Sequence, residues 1–134
     1  MLALGALAVS GCGGTSKGAT TPRPPAPVNL TVYIDNSRVS VSPTTVGAGP
    51  VAFIITNQAS QAESLAVLRT GAAGGLPLAD TAPINPQATA QVTVNFTVPG
   101  RYSLATGGVG GSVKAASIHI GKPRASSDDQ VLQP

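Results

Sequence analysis

The 134-residue chain has no tryptophan, two phenylalanines, two tyrosines, one histidine and one cysteine, and only 10% of its residues are charged. Each scarcity removes a class of function. With so little charge, long solvent-laced helices are not expected. The net charge of +3 comes from scattered Lys and Arg with no basic run, and there are almost no aromatic rings for bases to stack on, so nucleic acid is not an expected partner. Five carboxylates and no aromatic sugar platform leave no basis for a paired-carboxylate glycosidase. No apolar run is long enough to cross a bilayer as a helix: the opening "MLALGALAV" stops at Val9. What the chain has in plenty is glycine and proline, 16 and 12 residues, which points to many turns and to irregular flanks around a single domain.

The lone cysteine ends that opening in "VSGC", Val9-Ser10-Gly11-Cys12. One cysteine cannot close an internal disulfide and calls for another explanation. An apolar h-region followed by two small residues and a cysteine resembles the lipobox of bacterial lipoproteins. The resemblance implies that residues 1–11 are a signal peptide and that Cys12 becomes the first mature residue, carrying a diacylglycerol (palmitate-type) anchor. Buried acyl methylenes contribute about 0.8 kcal/mol each, and stable anchoring takes two chains, which diacylglycerol supplies. The departure from the pattern is the n-region: no Lys or Arg precedes Cys12, as when a start site is assigned too far downstream. The expected location is the extracytoplasmic face of the cell membrane.

Residues 12–27 turn from Gly/Ser/Thr-rich to Pro-rich without hydrophobic periodicity and read as a tether, reaching roughly 45 Å if extended. Residues 123–134 read as a disordered tail, leaving 28–122 as the folded unit. Within it the dominant period is two. Val28, Leu30, Val32 and Ile34 alternate with polar residues, and Val92, Val94, Phe96 and Val98 do the same. "VAFIIT" over 51–56, bounded by Gly49-Pro50 and Asn57, suits a central strand. "AESLAVLR" over 62–69 is ambiguous, since its Ala and Leu also suit a short helix. Short strands separated by Gly/Pro turns predict an all-β Greek-key sandwich, with an immunoglobulin-like arrangement as the alternative.

The sequence of landmarks is similar to the cupredoxin-like family: Ser42-Pro43, then "VGAGPVAFIITN" ending at Asn57, the "AESLAV" segment, and the corner Pro99-Gly100-Arg101-Tyr102. The resemblance implies a β-sandwich and, in the family, electron transfer through a type-1 copper held by two His, a Cys and usually a weak Met. Carried over, those positions fall at Glu63 or Ser64, near Thr106, and within "GGVGGSV" from Gly107. None holds a copper ligand, so copper electron transfer is not expected, and no metal or other cofactor is.

Other chemical readings are bland. His119 alternates with Ile118 and Ile120 and is expected to face water; no G-x-S-x-G elbow accompanies it, so no hydrolase and no enzyme is predicted. Gly107, Gly108, Gly110 and Gly111 fit no phosphate-binding spacing. Asp35, Glu63 and Asp80 are too dispersed in sequence to suggest a calcium loop. Tyr102 is expected to be a corner tyrosine whose hydroxyl bonds upstream backbone. The expectation is therefore a lipid-anchored, non-catalytic binding or scaffold module, its partner an envelope protein or small ligand besides the membrane itself. Its binding surface is sought first around Glu63, Ser64, Thr106, Gly107, Gly108 and Gly110. The alternative is an accessory metal-handling or redox protein of the envelope.

Overall fold

The computed structural model describes residues 23–71, 76–107 and 113–126. Cys12, Gly108, Gly110, residues 1–11 read as a signal peptide, and the stretch from 127 onward lie outside them. The described residues form eight strands: β1 (Val28–Ile34), β2 (Val39–Ser42), β3 (Thr45–Asn57), β4 (Leu65–Arg69), β5 (Ala79–Asp80), β6 (Thr89–Phe96), β7 (Gly100–Thr106) and β8 (Ala116–Pro123). The predicted alternation sets the faces. Leu30, Val32 and Ile34 of β1 are fully buried while Asn29, Thr31 and Tyr33 point outward.

The ambiguous 62–69 stretch resolves as a strand. Leu65 and Val67 are buried, and β4 pairs with β7 on one side and β5 on the other, so tertiary pairing outweighs the local helix preference. The alternation read through Val98 stops earlier, at Phe96. Val98 is 42% exposed and sits in the turn to β7, where its carbonyl accepts the Tyr102 hydroxyl at 2.6 Å. The expected corner tyrosine is thus in place.

One sheet is ordered β2-β1-β3-β6 and the other β3-β8-β7-β4-β5, with β3 shared between them. Thr45–Ala48 of β3 pair in parallel with β8, whereas Val51–Asn57 pair in parallel with β1 and Gly49–Thr56 run antiparallel to β6. The change of sheet falls at Gly47–Gly49. Gly49 has φ 136°, and an added Cβ would lie 2.7 Å from the Arg124 Nη2 and 2.8 Å from Pro25 Cγ, so only glycine fits there. The Ser42–Pro43 bond just before this strand is cis.

The pairings give the sandwich two ends. At the upper end Ile34 meets Asn57, Thr56 meets Thr89 and Leu65 meets Thr106. At the lower end Val28 meets Val51, Gly49 meets Phe96 and Gly100 meets Ile120. Between them Phe53, Phe96 and Tyr102 stack edge to face, with centroids 6.1 and 4.7 Å apart, and Leu104, Ile118 and Ile120 fill the rest. Fully burying each such side chain contributes roughly 1.5–3 kcal/mol.

Packing continues past both edges of the 28–122 unit. Arg124 donates from Nε to the Gly47 carbonyl at 3.1 Å, from Nη1 to Ala26 at 2.6 Å and from Nη2 to Pro50, while its amide bonds Ala48 at 3.0 Å. Ser126 Oγ donates to the Arg23 carbonyl at 2.7 Å. Residues 23–27, read as tether, and 123–126, read as tail, are therefore fastened to each other and to the lower end. Composition predicted a tether and a disordered tail there because it cannot register one arginine that satisfies three backbone carbonyls at a strand corner.

Candidate functional site

The upper end is made of four connections: 35–38, 58–64, 81–88 and the one that follows Thr106. Asn57, the last residue of β3, ties two of them together. It is fully buried, and its side chain donates to the Gln61 and Ile84 carbonyls at 2.8 Å each and accepts from the Ala59 amide at 2.9 Å. Its own backbone amide and carbonyl bond Ala88 and Gln87. A buried amide with every bond made fixes geometry, because no alternative arrangement can satisfy the same groups.

On that base the sequence-selected residues come together. Glu63 forms an isolated antiparallel bridge with Ile84, at 3.1 and 2.8 Å. Ser64 follows, and its carbonyl accepts the Gly107 amide at 3.1 Å. Thr106 lies opposite Leu65 in the β4–β7 register. A Cβ on Gly107 would come within 3.2 Å of Ser64 Oγ, so the strand ends approach closely there. Glu63, Ser64 and Thr106 are half-buried and Gly107 is exposed. Gly108 and Gly110 lie outside the described residues.

A second polar turn stands beside this group. Asp35 accepts from the Ser37 amide at 2.7 Å, the Ser37 hydroxyl at 2.8 Å and the Arg38 amide at 2.8 Å. These bonds, led by the Ser37 amide, hold its carboxyl below the ordinary carboxylate range. Asn36 Oδ1 accepts from both the amide and the hydroxyl of Ser60, joining this turn to the 58–64 connection.

The donor set does not fit a type-1 copper. The residues at the family's ligand positions present one carboxylate and hydroxyls, which are hard donors, where thiolate, thioether and imidazole are needed. His119 is exposed on β8, directly across from Arg101 and Thr45, towards the lower end. Among the described residues no three His, Cys, Asp or Glu side chains come together.

Sequence reasoning did not find the grooves. One of 440 Å³ runs between Asp80–Asn85 and Ala88–Val92, along the open side where β5 and β6 are the sheet edges. One of 180 Å³ is lined by Thr44, Thr45, Arg101, Ser117, Ile118 and His119 on the outer face of the second sheet. Neither is lined by Glu63, Ser64, Thr106 or Gly107. Cross-strand neighbours such as Arg101 and His119 carry no mark in sequence, because their juxtaposition depends on register between separate strands.

No protein-family model and no curated protein matches the chain. Solved structures do. Auracyanin A, a "blue" copper protein from Chloroflexus aurantiacus, is 15% identical with a TM-score of 0.55, over 71% of this chain and 99% of that one. An azurin (Az-iso2) from Methylomonas sp. strain J is 8% identical at a TM-score of 0.55, over 71% and 98%. Auracyanin from Roseiflexus castenholzii is 13% identical at 0.52, over 70% and 95%. At such identities the likeness is one of fold: this chain is a cupredoxin-like β-sandwich, and the immunoglobulin-like alternative is set aside.

Proposed function

We propose that the protein is an extracytoplasmic lipoprotein, anchored in the cell membrane through Cys12, whose copper-free domain binds an envelope protein or a small ligand without catalysing a reaction. The observation that carries this reading is the separation of the two ends. Residues 23–27 are fastened to the lower end by Arg124, so the chain leading back to Cys12 departs from there. The end built on Asn57, with Glu63, Ser64, Thr106 and Gly107, is the opposite one. An anchored domain would present that end away from the bilayer, where connections held on a rigid sandwich supply contacts. The donor set at the ligand positions supports a role other than copper electron transfer.

The test begins with the anchor. Mass spectrometry of membrane-extracted protein is expected to find a diacylglycerol adduct on Cys12, and Cys12→Ser is expected to make the chain extractable from membranes by a high-salt wash that leaves the wild type bound. An unmodified Cys12, or a Cys12→Ser chain that stays with the membrane through that high-salt wash, overturns the anchor. A photo-crosslinker at Ser64 is then expected to capture an envelope component that one at Asn29 does not; equal labelling from both overturns the upper end as the binding surface.

A further inference from the structure

The charges are unevenly placed along the sandwich. All three described carboxylates, Asp35, Glu63 and Asp80, lie in its upper half, at the 35–38 turn, beside the Asn57 cluster and opposite Ala66. Of the described basic residues only Arg38 and Lys114 are up there, bridged to each other. Arg69 ends β4, Arg101 is the second residue of β7, Lys122 lies near the end of β8 and Arg124 just past it, all towards the lower end. The fold does not require this: Arg101 and Lys122 are exposed, and Arg101 stands directly across from His119.

Of the four exposed large apolar side chains among the described residues, three lie at the lower end, and the fourth, Tyr33 at 44%, stands opposite Thr56 towards the upper end. Leu76 is 93% exposed and Leu78 44%, both in the connection below β4, and Val98 is 42% exposed in the β6–β7 turn. Single exposed apolar residues need no explanation, but here they share an end with the basic side chains. The N-terminal segment leaves from that end too.

We propose that the lower end is a docking face for an anionic phospholipid surface. Arg101 and Lys122 meet the headgroup phosphates, and Leu76, Leu78 and Val98 enter the interfacial layer. Opposite charge is the complementarity that selects this occupant, since juxtamembrane Lys and Arg are drawn to anionic leaflets within about a Debye length. The 180 Å³ groove beside Arg101 and His119 is below the size of organic-ligand pockets and suits a small anionic group. Outside the described residues the sequence carries Lys17, Asp128 and Asp129. The inference deepens the anchored reading by naming the face turned to the bilayer.

The test uses the full chain carrying Cys12→Ser, so that no acyl group contributes and a failure here leaves the anchor to be judged by its own experiment. Co-sedimentation is measured with vesicles of phosphatidylglycerol and phosphatidylcholine, and with phosphatidylcholine alone. Binding is expected only to the anionic vesicles and is expected to fall as salt is raised. Arg101→Gln and Lys122→Gln should each weaken it about fivefold, and the pair Leu76→Ser, Leu78→Ser should weaken it further, whereas Lys114→Gln at the upper end should not. Thermal melting checks that these exposed substitutions leave the fold intact. Equal binding to both vesicle types, no binding at low salt, or the same loss from Lys114→Gln as from Arg101→Gln overturns the proposal.

Discussion

Single side chains decide how the two ends are held. Asn57 is the clearest case, because its three side-chain bonds reach three different backbone groups of the 58–64 and 81–88 connections. Asn57→Ala leaves those groups unsatisfied in a buried place and is expected to cost about 3 kcal/mol or more in urea unfolding. A loss below about 1 kcal/mol would mean that water replaces the amide and that the clamp is not what fixes the upper end. Asp35 makes a prediction of definite sign. Its folded carboxyl titrates below the ordinary 3.8, so its contribution is present above that value and disappears as pH falls through the lowered one. Asp35→Ala should therefore destabilise the protein at neutral pH, with the difference from wild type vanishing in acid; unfolding curves across that range check it. In sequence Asn57 marked only a strand end and Asp35 only a dispersed carboxylate: the partners that give Asn57 weight lie up to 27 positions away, while those of Asp35 lie two and three residues on.

At the scale of elements, β3 carries the design. Its thirteen residues serve both sheets, and the switch depends on backbone that Gly49 alone can adopt against Pro25 and Arg124. Gly49→Ala combines an unfavourable φ with a Cβ inside contact distance, and is expected to destabilise by about 2 kcal/mol or more. Because the displaced partners are residues 25 and 124, limited proteolysis should show faster cleavage in the 23–27 segment; unchanged cleavage would mean that the corner and the terminal clamp are independent. Strands β1 and β6 were readable because one face is dry and the other wet, whereas β4 was not, because Leu, Ala and Val over five residues satisfy either period.

For the molecule as a whole, a cupredoxin-like fold carries hard donors and glycine at the positions where the sequence resemblance places copper ligands. A cupredoxin-like sandwich is retained with its aromatic core and corner tyrosine, while the ligand positions hold Glu63, Ser64, Thr106 and glycine. The full chain is expected to show no submicromolar binding of Cu(I), Cu(II), Zn(II) or Ca(II) by calorimetry, and no metal-dependent rise in melting temperature. Tight copper binding would instead restore the metal-handling alternative.

The sequence by itself determined the all-β class, the inward faces of most strands, the corner at Tyr102 and the scarcity of soft metal donors, one Cys, one Met and one His in the chain. These are local matters of period, turn chemistry and residue type, which a chain carries without its fold. Only the tertiary structure decided that Leu65–Arg69 is a strand, that Arg124 fastens both terminal segments to one corner, and that bases and exposed leucines share the lower end. Those depend on pairing between distant segments, where a hydrogen bond or a shared surface is set by register and direction rather than by neighbouring residues.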